Sequence, residues 1–168
     1  IVISTFNSIS DMTLPELGKY TRTYQNALKD SPDSVEINNS VAMCYLKLKM
    51  HDKAYSAFEK AIESNFDNPE TYFYAAISLL SGQKAFLTPR PKIDKIEELM
   101  NAAVMIEPRG IFYLFWAYIK QDYYKRKFLK TSPDYQEVLA MANEYGYSEL
   151  DRENLFNLLC VECPSALK

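Results

Sequence analysis

The stretch NNSVAMCYLKLKMHDKAYSAF, residues 38–58, decides the fold of this chain. Its apolar residues recur three and four positions apart, which is typical of amphipathic helices rather than of strands. A short polar link, Met50-His51-Asp52, separates the two helical runs and reads as a turn. Small residues at Ala42 and Ala54 allow two helices to approach closely. The stretch therefore predicts a hairpin of two helices.

The same pattern returns along the chain with a spacing of 34 residues. A third copy follows after 42 residues, which is the same spacing plus an insertion of eight. Self-similarity at a fixed period of this length indicates a repeat architecture. The aligned positions are Tyr20, Tyr24, Ala27, Leu28 and Pro32, then Ala54, Phe58, Ala61, Ile62 and Phe66, and then Ile96, Met100, Ala103, Val104 and Pro108.

These residues resemble the tetratricopeptide repeat (TPR) family, whose first helix carries a large residue, a Leu-Gly pair and a Tyr, and whose second carries Ala and an aromatic residue. Here Asn38, Val41-Ala42 and Tyr45 stand at the first set of positions, and Ala54 with Phe58 at the second. The resemblance covers residues 14–122. It implies an all-α fold, a right-handed solenoid of helical hairpins closed by C-terminal capping helices.

We expect a single TPR-like helical domain over residues 1–168, and because the chain begins at Ile1 we expect it to be a fragment of a longer protein. Capping signals at Thr13, Asn68 and Ser148, together with Ser132-Pro133, place four helix starts. The domain divides into a half repeat (14–34), a repeat (35–68), a repeat with the insertion (69–110) and a divergent helical cap (111–168). The predicted helices span 14–30, 35–48, 52–64, 69–81, 92–106, 110–129, 134–145 and 149–160.

Composition excludes several classes of protein. With 48% hydrophobic and 24% charged residues, the 168-residue chain can bury a core of its own. A net charge of -3 argues against nucleic-acid binding driven by bulk charge. No apolar run is long enough to span a membrane, so we expect no membrane partner. Three cysteines fit a reducing compartment, which favours a cytoplasmic location.

The residues of known catalytic and metal sites do not come together in the sequence. His51 is the one histidine, and the four glycines are too scattered to cradle a phosphate. Cys160 and Cys163 have redox or zinc spacing, but they end a helix, where the dipole does not lower a thiol pKa. We expect no enzymatic activity, no metal and no cofactor. Carboxylates fall on predicted exposed helix faces, as do those of Glu59, Glu63, Glu97 and Glu98.

The resemblance implies that the first helix of each pair lines a concave groove. We expect this groove to make the chain a protein-interaction module or scaffold that binds a partner peptide, helix or domain. Asn39, Met43, Tyr74 and Trp116 replace the Lys, Asn and Arg residues that clamp acidic chaperone tails in this family, which argues against such a partner. The candidate groove residues are Asn39, Met43, Phe73, Tyr74, Ile77, Phe112, Phe115, Trp116 and Ile119.

A second interpretation is that the C-terminal helices fill this groove, since their apolar stripes need cover. We favour it over an open groove, and it would make the chain a self-capped structural, spacer or dimerisation domain. The residues that carry these stripes are Tyr135, Val138, Leu139, Met141, Leu150, Leu155, Phe156 and Leu159.

Two further segments remain ambiguous. A basic cluster could bind an acidic ligand or nucleic acid, although a solvated helix end is the favoured interpretation. In the insertion, Pro89 and Pro91 argue against a helix interior, and the Phe86-Leu87 pair suggests a loop that folds back onto the body. We favour a tolerated surface insertion over a functional loop. The basic cluster consists of Lys120, Lys125, Arg126, Lys127 and Lys130.

Overall fold

A computed structural model describes residues 11–168 of the chain. Those residues form eight α-helices and contain no strand, so the predicted all-α fold class is confirmed. Short 3-10 turns lie at Ala85–Leu87 and Ser165–Leu167, and a π-helical turn at Lys120–Lys125. The helices are α1 (Leu14–Asp30), α2 (Val35–Lys47), α3 (His51–Ser64), α4 (Pro69–Leu79), α5 (Arg90–Ile106), α6 (Gly110–Ile119), α7 (Tyr135–Tyr145) and α8 (Glu149–Leu159).

The helices form two compact units, which meet in sequence between Ser81 and Gly82. This boundary falls where the predicted insertion begins. The prediction of a single domain with four repeat segments stays a prediction. In the first unit α1 packs against α2, α2 against α3, and α3 against α4. Ala42, Ala54 and Ala61 are fully buried there, as small residues at close helix contacts must be.

Side-chain caps fix several helix starts where the sequence predicts them. Thr13 Oγ1 accepts the Glu16 amide and the Glu16 carboxylate accepts the Thr13 amide, which completes a capping box. Ser148 forms the same box before α8, and Asn68 caps α4 ahead of Pro69. One expectation was wrong in detail, because His51 is the first residue of α3 rather than part of a turn.

Helix α6 lies at the centre of the second unit and packs against α5, α7 and α8. Its side chains are apolar on every side, so every side has to pack against other residues rather than face solvent. The Tyr113 ring stacks on Tyr145 at the end of α7, and the Tyr118 ring meets Phe156 of α8 edge to face. The C-terminal helices therefore cover the aromatic helix of their own unit.

Several other predicted helix boundaries also differ from the structure, and three of them show how the local sequence sets a helix end. The helix predicted over 110–129 becomes π-helical at Lys120 and ends at Lys125. Helix α5 begins at Arg90, two residues early, because Pro91 lies in the first turn, where amides have no partner within the helix. Asp134 caps α7, which begins at Tyr135 rather than directly after Pro133.

Candidate partner-binding cleft

The structure places the predicted groove residues in packing positions. Trp116 is half-buried, and the other eight are buried. In the first unit Thr71 donates a hydrogen bond to the Asn39 side chain at 3.2 Å, which occupies that amide oxygen. Partner binding by these residues stays a prediction. The buried eight are Asn39, Met43, Phe73, Tyr74 and Ile77 in the first unit and Phe112, Phe115 and Ile119 in the second.

A buried ion pair joins α5 to the end of α6. Lys120 Nζ lies 2.7 Å from a Glu97 carboxylate oxygen, and the lysine side chain is 4% exposed. Trp116 Nε1 and the Tyr124 hydroxyl both donate to the same carboxylate, and Lys120 also donates to Thr131 Oγ1 at 2.6 Å. Two expectations were wrong, because Glu97 does not lie on an exposed face and Lys120 is not solvated.

The rest of the basic cluster divides between structural and exposed positions. Arg126 pairs with Asp122 at 2.8 Å, and Lys127 lies over the Phe86 ring at 4.6 Å from its centre. Lys125 and Lys130 are exposed, which fits the prediction of a solvated helix end for these two residues.

Asp122 fixes the insertion onto the π-helical turn. Its buried carboxylate accepts the Phe86 amide at 2.8 Å, the Arg126 guanidinium and the Tyr118 hydroxyl. The Ala85 amide in turn donates to the Tyr118 oxygen at 3.1 Å. Burial raises the pKa of Tyr118, which keeps its hydroxyl protonated and able to donate.

The insertion folds back, as the sequence suggests, but through one residue of the apolar pair. Phe86 is half-buried between the Arg126 and Lys127 side chains, whereas Leu87 is 65% exposed. The reason is that the 3-10 turn at Ala85–Leu87 directs Ala85 and Phe86 toward the π-helical turn. Leu87 is left as an apolar side chain in solvent.

The insertion, the π-helical turn and the C-terminal tail enclose a cleft of about 1000 Å³ within the second unit. Gln121 is one of its lining residues, and the Gln121 Oε1 atom is itself closed off from solvent and accepts no hydrogen bond from any residue between 11 and 168. Such an acceptor is uncommon, because buried polar atoms are nearly always paired. The lining residues are Gly82, Gln83, Lys84, Leu87, Tyr118, Gln121, Asp122, Arg126, Cys160, Val161, Glu162, Cys163, Pro164, Ser165 and Lys168.

Asp122 and Gln121 are not among the residues predicted from the sequence. Both follow a helix that is apolar on all sides, and a carboxylate beside such a helix must be paired if it is buried. That signal could have singled out Asp122. Nothing in the sequence distinguishes Gln121, because whether its side-chain oxygen finds a hydrogen-bond donor depends on which side chains the fold places around it.

The cysteine pair lies at the edge of this cleft as two free thiols. Cys160 ends α8 in a left-handed conformation, and burial raises the pKa of the Cys163 thiol. In the part of the chain that the structure describes, no group of three or more His, Cys, Asp or Glu residues could hold a metal ion. Nor is any helix from residue 11 onward long and apolar enough to cross a membrane.

Comparison with known proteins supports the fold. A solved structure of the TPR-like helical protein MamA, "MamA MSR-1 C2", superposes with a TM-score of 0.57. It is 18% identical to this chain and covers 77% of it, while the chain covers 67% of that structure. The chain has a TPR-like helical fold. No protein-family model matches the sequence, and no curated protein does.

Proposed function

We propose that this chain is a non-catalytic protein-interaction module that binds an extended segment of a partner protein in the cleft of its second unit. The observation that carries the proposal is the open cleft of about 1000 Å³ itself, which has the exposed apolar side chain of Leu87 at its rim.

The walls of the cleft suit such a ligand. Hydrogen bonds to Asp122 hold the insertion in place on one side of the cleft. Binding would therefore cost little entropy for ordering this loop. Leu87 offers an exposed apolar contact at the rim. A cleft of about 1000 Å³ is at the upper end of the range for small-molecule sites, which favours a longer ligand such as a peptide.

A peptide-display selection on the purified chain tests this proposal. We expect a recurring sequence to be enriched, and we expect Leu87→Asp to weaken the selected peptides at least about tenfold by charging the apolar rim. Met105→Asp is the matched control, since Met105 is 79% exposed on α5 and does not line the cleft. The proposal would be contradicted if the selection enriched no common peptide sequence, or if both variants lost the same amount of affinity for the selected peptides.

A second candidate is the self-capped structural or dimerisation domain. The burial of eight predicted groove residues, and the cover that α7 and α8 give α6, favour it. Sedimentation velocity over a range of concentrations separates the two candidates. A monomer that binds the selected peptides supports the interaction module, whereas a stable dimer that binds none supports the structural domain.

A further inference from the structure

From the last residue of the π-helical turn onward, six consecutive residues carry four cations and no anion. This segment, Lys125–Lys130, is called the basic tip here, and it stands out in a chain whose net charge is -3. Phe128 has a backbone φ of 57°, which is a left-handed conformation that residues other than glycine rarely adopt. The segment is therefore held as a defined turn.

Two of the four cations have charge available for an outside partner. Arg126 pairs with Asp122, and Lys127 lies over the Phe86 and Tyr123 rings. Lys125 and Lys130 are exposed, and between residues 11 and 168 no carboxylate pairs with either. They flank a cavity of about 380 Å³ that Thr131 and Asp134 also line, and the Asp134 carboxylate is engaged there as the cap of α7.

The apex of the tip is apolar and faces water. The Phe128 side chain is 92% exposed, and Leu129 beside it is 41% exposed. A large apolar side chain at such exposure loses the free energy that burial would give it. A membrane or a protein partner would remove that cost if it buried the Phe128 ring and placed its own oxygen atoms against Lys125 and Lys130.

We propose that the basic tip docks the protein on the surface of an anionic phospholipid membrane. At such a surface cations lie at the level of the phosphates and an adjacent aromatic ring enters the acyl boundary below them. The flexible lysine stems suit this position, since they can extend along apolar surface toward charge. A membrane accepts a protruding Phe128 without a matched pocket, whereas an acidic protein would need a pocket for it. The contact is peripheral and requires no membrane-spanning helix.

Vesicle co-sedimentation of the full chain tests the proposal with phosphatidylcholine vesicles that contain or lack phosphatidylserine. We expect binding to the anionic vesicles alone. Lys125→Gln with Lys130→Gln should weaken it about thirtyfold, since each lysine contributes roughly 1 kcal/mol near such a surface. Phe128→Ser should also weaken binding. The matched controls are Lys19→Gln with Lys92→Gln, both exposed elsewhere, and Met105→Ser.

A second measurement reports insertion of the ring directly. Phe128→Trp should add an emission that shifts to the blue on mixing with the anionic vesicles, because the indole leaves water. The proposal is overturned if the chain does not bind anionic vesicles, if the tip and control variants lose binding equally, or if Phe128→Ser changes nothing, which would mean adsorption by charge alone. Binding to polyglutamate but not to vesicles would overturn it in favour of an acidic protein partner.

Discussion

At the scale of single residues, the second unit depends on charges placed where solvent cannot reach them. Lys120 is almost fully buried, and Glu97 with its carboxylate oxygen 2.7 Å away neutralises it. Trp116 and Tyr124 fill the remaining acceptor positions of Glu97. A buried pair of this kind adds little net stability when intact, but breaking it leaves an uncompensated charge.

Glu97→Gln should therefore destabilise the protein by about 3 kcal/mol, because it leaves the Lys120 ammonium buried without a counter-charge. The double variant Glu97→Gln with Lys120→Met should recover most of this loss, since no unpaired charge then remains. Urea unfolding of the wild type, both single variants and the double variant measures the coupling. Additive losses in the double variant would show that the pair is not energetically coupled.

Gly110 provides a second test at this scale. A Cβ built there would lie 2.0 Å from the Gly146 carbonyl oxygen and 2.9 Å from that of Ala142, both backbone atoms of the α7 end. Gly110→Ala should therefore cost about 2 kcal/mol or more, since backbone has to shift. Gly18→Ala is the control, because its Cβ would meet an arginine side chain at 3.6 Å and alanine favours helix.

Thermal unfolding of the two alanine variants checks this pair. We expect Gly18→Ala to melt at or above the wild-type temperature and Gly110→Ala several degrees below it. Equal melting temperatures would mean that α6 and α7 do not approach as closely as their backbones indicate.

At the scale of elements, the helices themselves were largely predictable and the links between them were not. Helical spacing and capping residues such as Thr13 and Ser148 are local signals, so the sequence carries them in full. The π-helical turn at Lys120–Lys125 has no such signal, and the sequence predicts ordinary helix through it. The position of Glu97 against Lys120 depends on how α5 is rotated against α6, which spacing along one helix does not reveal.

The insertion is the element whose attachment can be tested. Asp122→Asn keeps the size of the side chain but turns one acceptor into an NH2 group facing the Phe86 amide or Arg126. Losing a charged hydrogen bond should increase local opening about tenfold. We expect faster hydrogen exchange at the Ala85 and Phe86 amides, with the rest of the unit unchanged.

Asp94→Asn is the control for this experiment. Asp94 forms an ion pair with Arg90 at 2.8 Å, but both side chains are more than half exposed, so the pair should contribute little. If Asp94→Asn accelerates exchange at Phe86 as much as Asp122→Asn does, the Asp122 contacts do not hold the insertion.

At the scale of the whole molecule, the sequence could indicate a TPR-like helical fold but not which of its faces are covered. The TPR-like spacing singles out the face that carries residues such as Phe112 and Phe115, yet spacing does not say what covers that face. Here α7 and α8 lie against α6, and both residues are buried. The cleft escaped prediction for the opposite reason, because an insertion and a tail with no repeat pattern build it.

The division at Gly82 gives the last prediction. Every contact described for Trp116, including those to Glu97 and Lys120, comes from the second unit. A fragment of residues 82–168 should therefore be helical by circular dichroism and unfold cooperatively. The emission of Trp116, the one tryptophan in the chain, should match that of the full protein and resist a neutral quencher to the same extent. A red-shifted, readily quenched Trp116 in the fragment would mean that the first unit is needed to form this environment, and that the chain folds as the single domain its repeat pattern suggests.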